Sequence, residues 1–195
     1  MNSIPNNKKN LLLKTGQEIF ASHGFTNVGL TELLKKAGIP KGSFYYYFDS
    51  KEDYGVAVIQ YYMDQYTTHL STLFNTPDLS GKERLLSCWE NWNENQCNND
   101  YEGRCLVVKL SSEVADFSEA MRHEFCKGID KVLTLIASVI YKGQQDGSIP
   151  DHLNPDLTAQ ELYQQWLGAS LLTKIQRNKH PFKIALRYTM NILEK

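Results

Sequence analysis

Ile39-Pro40-Lys41-Gly42-Ser43-Phe44-Tyr45-Tyr46-Tyr47-Phe48-Asp49-Ser50-Lys51-Glu52 is the stretch whose reading decides the fold. Ile39-Pro40 makes a tight turn, because proline fixes its own φ and pushes the residue before it out of the helical region. A short helix follows from Pro40 and Lys41 through Tyr47. Asp49-Ser50 breaks it, and Ser50 caps the next helix, with Glu52 and Asp53 in the first turn. Just upstream, Leu30 to about Ala37 reads as another short helix with Leu33, Leu34 and Ala37 on its buried face, closed by Gly38. Two short helices joined by about four residues, the first ending in glycine, form the helix-turn-helix pattern.

Within that pattern the aromatic residues divide. Phe44 and Phe48 lie four apart and belong to the core. Tyr45, Tyr46 and Tyr47 cannot share that face, so at least two of them point to solvent. Phenols donate hydrogen bonds to phosphates, and their rings meet thymine methyl groups. Gly42 leaves room for a close backbone approach, Lys41 reaches a guanine edge or a phosphate, and Lys51 opens a helix whose free amides also suit a phosphate. A helical hairpin with an aromatic core is the plain alternative for the same residues.

The charge distribution favours the nucleic-acid reading. The chain has 195 residues and a net charge of −1, yet Met1 to Lys51 holds seven lysines against Glu18, Glu32 and Asp49, a local net of +4. A cationic head on an acidic body calls for an anionic partner of the head alone. No apolar run approaches the roughly 18 residues of a membrane span, and the polar N-terminus lacks a signal-peptide centre. The chain is therefore expected to be cytoplasmic, with Cys88, Cys97, Cys105 and Cys126 as thiols. No paired cysteine spacing or histidine cluster points to a metal, and no cofactor motif is present.

The remainder reads as helices, about nine in all, giving an all-α fold divided into a head, 1–50, and a body, 51–195. The first helix runs from about Lys8 to His23, where Gly24 closes it. A long fourth helix spans Lys51 to about Phe74. A fifth, from Ser80 to about Asn95, carries Trp89 and Trp92. Asn95 to Gly103 is polar and reads as a loop. The sixth begins at Gly103 or Arg104 and runs to Ala115. The seventh spans Ser118 to about Gln145, and the last two span about Asp156 to Arg177 and Pro181 to Leu193.

Gly24-Phe25, Leu33, Ala37-Gly38, Lys41-Gly42-Ser43-Phe44-Tyr45, Tyr47-Phe48 and Lys51-Glu52 resemble the head signature of the TetR repressor family. The resemblance implies an N-terminal helix-turn-helix, a palindromic double-stranded DNA operator, and a C-terminal body that forms a homodimer and senses a small molecule. It implies DNA contacts at Thr31, Lys41, Gly42, Ser43, Tyr45, Tyr46, Tyr47 and Lys51. Most members carry histidine where Tyr47 stands, so a neutral donor replaces a group that can be charged.

In the body, the segments Gly103 to Arg122 and Trp166 to Ile175 resemble the subgroup that represses N-ethylmaleimide reductase genes. That resemblance implies a response to electrophiles or oxidants through Cys105. The physics points the same way: Cys105 falls at the first turn of a helix, where free amides and Arg104 favour the thiolate. Lys174 is a candidate neighbour, as a cation supporting the thiolate or as an amine trapping oxidised sulfur. The competing expectation is reversible binding of an apolar or aromatic ligand among Tyr61, Tyr62, Trp89, Trp92, Phe117, Tyr163 and Trp166, although such residues at helical spacing are more often core. Cys88 and Cys126 read as buried, inert thiols. The last two helices are expected to form the dimer interface through Trp166, Leu167, Ala169, Ser170, Leu171, Phe182, Leu186 and Met190. No nucleophile–base spacing, phosphate loop or metal motif supports an enzyme, and the cationic head argues against an adaptor that binds only protein.

Overall fold

The structure is a computed structural model that describes residues 4–101 and 105–194. The described residues form nine helices and no strand: α1 Ile4–His23, α2 Leu30–Ala37, α3 Lys41–Tyr45, α4 Lys51–Phe74, α5 Gly81–Tyr101, α6 Leu106–Phe117, α7 Glu119–Gln145, α8 Pro155–Gln176 and α9 His180–Ile192. The all-α expectation holds. Two local expectations change. The polar segment after Asn95 continues α5 as far as Tyr101 instead of forming a loop, because it contains neither proline nor glycine and a nucleated helix propagates through polar residues. α3 ends at Tyr45, with Tyr46 at its C-cap.

The chain divides into two compact units, Met1–Gln65 with Arg104–Gly128, and Tyr66–Gly103 with Ile129–Lys195. The first unit extends beyond the expected head boundary at residue 50. It takes in the start of α4, all of α6 and the start of α7.

In the first unit the core is aromatic. Phe20, Phe25, Phe44, Phe48 and Tyr54 are all buried, with ring centroids 4.9–5.9 Å apart in tilted and edge-on pairs. Tyr54 of α4 donates its hydroxyl to the Leu12 carbonyl of α1 at 2.5 Å, which satisfies the polar end of a fully buried ring. Gly16 makes room for it, since a Cβ there would lie 2.2 Å from the Tyr54 hydroxyl. α6 lays Leu106, Val107, Leu110 and Val114 into this unit. Gly55 lets Met121 and Phe25 close on α4, because a Cβ would meet their side chains at 2.0 and 2.7 Å.

The second unit is built on Trp89, Trp92, Tyr163, Trp166 and Phe182, whose rings pack 4.9–5.8 Å apart. Two of the three indoles donate to buried hydroxyls: Trp92 Nε1 to Ser170 Oγ at 2.7 Å and Trp166 Nε1 to Thr189 Oγ1 at 3.1 Å. The start of α5 is fixed by a close backbone crossing. A Cβ on Gly81 would lie 2.3 Å from the Gly143 Cα and 2.9 Å from the Val139 carbonyl oxygen. Asp146 Oδ2 accepts the Gly81 N–H at 2.8 Å and Ser148 Oγ accepts the Lys82 N–H at 3.1 Å, satisfying two amides that the helix leaves open. Backbone cannot swing aside as a side chain can. Gly81→Ala should therefore cost about 3 kcal/mol, an overpacking penalty at the upper end of the usual range. In a protein of this size that lowers Tm by roughly 6–12 °C in a thermal melt. An unchanged Tm would contradict the crossing.

Candidate DNA-binding head and thiol site

The helix-turn-helix is assembled from local rules. Gly38 closes α2 in the left-handed region at φ 65°, and the Ile39 N–H reaches back to the Leu34 carbonyl at 3.1 Å. Extended Pro40 then starts α3. Phe44 is fully buried and Phe48 nearly so, as their spacing predicts, and together they pin α3 to Tyr54 of α4.

With the phenylalanines inside, the remaining residues of α3 and of the turn after it face outward to varying degrees. Lys41, Gly42, Tyr45 and Tyr46 are exposed, and Ser43 and Tyr47 are half-buried. Tyr46 is 77% exposed. Its ring meets Tyr47 edge-on at 4.9 Å, and the Lys41 ammonium stands 5.9 Å from the centre of the Tyr45 ring. Nothing lies within 4 Å of a Cβ built on Gly42, so its backbone is open to an approaching groove. Thr31 is exposed near the start of α2. The eight residues expected to contact DNA thus share the head. Lys51 differs from the others. It is half-buried and its ammonium donates to the Phe25 carbonyl at 2.7 Å while covering the Phe25 ring at 4.5 Å. Burial lowers its pKa, and Glu113 opposes the shift. One of its three donors therefore serves the α1–α2 turn.

The four thiols occupy different environments. Cys88 is buried in the second unit, and burial pushes its thiol up to about 12, which makes it a poor nucleophile. Cys97 is half-buried, donates to Asn93 Oδ1 at 3.2 Å and is raised by burial despite Lys179. Cys126, expected to be buried, is exposed on α7, with Arg122 Nη1 3.6 Å from its sulfur. The reason is its register: Met121, Phe125 and Gly128 take the inward face. Cys105 is only 9% exposed. It is the N-cap of α6 rather than a first-turn residue, with φ −69° and ψ 108°. Its carbonyl accepts the Lys109 N–H at 3.0 Å, its side chain makes no capping bond, and the Tyr62 hydroxyl on α4 donates to its sulfur at 3.7 Å. Arg104 lies outside the described residues. Lys174 is half-buried on α8, in the second unit.

The expected interface residues of α8 and α9 separate into two sets. Trp166, Ala169, Ser170 and Phe182 are buried within the chain itself, where they pack in the core of the second unit. Leu171 and Met190 are exposed, and Leu167 and Leu186 are half-buried. Leu172, Ile175, Ile184 and Tyr188 are exposed as well, and a Cβ built on Gly168 would meet nothing within 4 Å. Of the pocket aromatics, Trp89, Trp92, Tyr163 and Trp166 are buried core, while Phe117 pairs with Phe25 at 5.5 Å.

Glu113 is the residue that sequence reasoning missed. Its carboxylate accepts the N–H of Phe25 at 3.1 Å, the N–H of Thr26 at 2.6 Å and the Thr26 hydroxyl. The partners lie 87 and 88 residues away along the chain and two of the three are backbone amides. The only sequence signal was Gly24, whose φ of 83° and missing Cβ admit the carboxylate.

Comparison with known proteins agrees with this arrangement. Residues 12–53 match the family described as bacterial regulatory proteins, tetR family, and residues 81–189 match the tetracyclin repressor-like C-terminal domain. The HTH-type transcriptional repressor NemR of Escherichia coli K12 is 38% identical over 93% of this chain and 92% of its own. The HTH-type transcriptional repressor DhaR of Mycobacterium sp. GP1 is 31% identical over 87% and 84% respectively. Among solved structures, the reduced form of E. coli NemR superposes with a TM-score of 0.92, at 37% identity, covering 96% of this chain and 97% of that one.

Proposed function

Since this chain belongs to the TetR family of DNA-binding transcriptional repressors, we propose that it holds a palindromic operator as a reduced homodimer and releases it when Cys105 is modified by an electrophile or an oxidant. The observation that carries the reading is the setting of Cys105. It is a buried thiol on the N-cap residue of α6, and the Tyr62 hydroxyl of α4 donates to its sulfur. That hydroxyl and the positive end of the α6 dipole favour negative charge on sulfur. One relative was crystallised in a form named for being reduced, which supports the same reading.

The chemistry is that of a thiolate. With a maleimide, the sulfur adds to one alkene carbon, the C–S bond forms as the C=C π bond breaks, and the other carbon takes a proton from solvent. With a peroxide the sulfur becomes a sulfenic acid as the O–O bond breaks, and the sulfenic acid condenses with a thiol or an amine by losing water. Either product enlarges a residue that is buried. A tightly packed site answers added volume by moving its neighbours, and the first turn of α6 is the neighbour. The two α3 helices of a dimer then no longer fit both half-sites at once. The dimer itself forms through the outward stripe of Leu171, Leu172, Ile175, Ile184, Tyr188 and Met190, an apolar surface of the kind that marks a partner face.

The test is fluorescence anisotropy on duplex DNA flanking the protein's own gene, with N-ethylmaleimide or diamide, in wild type and Cys105→Ser. Wild type should lose affinity by about 5–150-fold, the usual size of a coupling between sites. Cys105→Ser should change by less than about twofold, and reductant should restore binding after diamide but not after maleimide. Equal release of the variant would overturn the assignment of the response to Cys105.

A further inference from the structure

We propose that Glu113 is the positioning residue through which α6 holds the DNA-binding head in its operator-competent arrangement. The inference rests on the operator-binding reading and is independent of which thiol is modified.

The observation is a clamp on the α1–α2 turn. On one side, the Glu113 carboxylate sits on the consecutive N–H groups of Phe25 and Thr26 and on the Thr26 hydroxyl. Consecutive amides after a left-handed glycine form a nest for an anion, and here α6 supplies the anion. On the other side, the Lys51 ammonium takes the Phe25 carbonyl and covers its ring. Gly24 is required twice, for its φ of 83° and because a Cβ would stand 2.8 Å from Glu113 Oε2. Beside the clamp, Phe117 packs on Phe25, and the Ser118 hydroxyl donates to Glu52 of α4. The end of α6 that holds the head is thus distinct from the end that carries Cys105. Eight residues separate Cys105 from Glu113, about 12 Å along a helix axis.

Directionality makes the carboxylate the part that transmits movement. The apolar face of α6, Leu106, Leu110 and Val114, tolerates a small slide, because dispersion contacts are numerous and non-directional. Hydrogen bonds weaken steeply with distance and angle. An axial shift of about 1 Å leaves the apolar face packed but takes the carboxylate off the two amides. The turn then loses its anchor, and α2, which begins at Leu30, loses its fixed origin.

The experiment uses the intact dimer without inducer. Glu113→Ala and Glu113→Gln are compared with wild type by operator affinity, by amide hydrogen exchange at Phe25 and Thr26, and by Tm. The expected result is faster exchange at those two amides with an operator affinity lower by about tenfold in the alanine variant. The glutamine variant, which keeps one acceptor oxygen, should fall between it and wild type. A merely structural role would lower Tm and speed exchange throughout the first unit. If Glu113→Ala misfolds, the near-isosteric Glu113→Gln decides by the same two readouts. Unchanged affinity with faster exchange, or lower affinity with unchanged exchange at Phe25 and Thr26, overturns the proposal. A wild type that binds no DNA overturns the operator reading itself, and with it this one.

Discussion

Phe44→Ala should abolish operator binding. Phe44 is fully buried and its ring contacts Phe48 and Tyr54 at 5.4 and 5.3 Å. Truncating such a residue costs about 3–5 kcal/mol in lost transfer energy and residual cavity. α3 has five residues, too few to persist without tertiary packing. The cost therefore falls on the helix that presents Lys41, Tyr45 and Tyr46. An energy of about 4 kcal/mol corresponds to nearly a thousandfold in an equilibrium, at about 1.4 kcal/mol per factor of ten. Anisotropy should show no specific complex, whereas circular dichroism should keep most of the helical signal. Tyr46→Ala is the contrasting variant. Being 77% exposed, Tyr46 should change stability by less than about 0.5 kcal/mol while still weakening the complex. Normal binding by Phe44→Ala would remove α3 from the recognition surface.

The second large effect is that of salt. The head carries a local net charge of +4 on a chain of net charge −1, so attraction to DNA comes from one end of the sequence. A dimer that neutralises six or more phosphates loses affinity by about 10³-fold between 50 and 200 mM salt. Lys41 is exposed beside Tyr45. Lys41→Ala should reduce the slope of log affinity against log salt by about 1 per protomer, hence about 2 for the dimer. Lys51→Ala should act differently. Part of its ammonium is engaged with the Phe25 carbonyl, so its loss should also speed amide exchange in the α1–α2 turn. A salt slope that does not change in Lys41→Ala would place that lysine away from the phosphates.

The head was legible in the sequence because its rules are local. Gly38 ends a helix, Pro40 starts one, and Phe44 and Phe48 lie one turn apart. Positions governed by distant partners were harder. Glu113 bonds to backbone amides, which leave no mark in the residues that own them. Trp166 was placed at an interface because α8 is apolar on two faces. Leu162, Trp166, Ala169 and Thr173 turn inward and Leu171, Leu172 and Ile175 outward, and a helical period alone does not tell core from contact surface. The run after Asn95 reads as a loop by its polarity, yet polarity measures exposure, and with neither glycine nor proline to stop it the helix runs on to Tyr101. Cys105 was located near the right helix end but one step inside its true N-cap position.

The Tyr54–Leu12 bond bears on how such regulators can be recombined. Heads and bodies of one family invite exchange by cutting between them, and residue 50 is the obvious seam. A graft cut there parts α1 and Gly16 from the ring they were shaped to receive. A foreign α4 without that tyrosine leaves a cavity in the aromatic cluster, and one with a bulkier or misplaced ring has no recess to enter. Functional chimeras should therefore carry the donor chain through residue 65, with a matching α6. The inherited module is the helix-turn-helix together with the surface on which it rests.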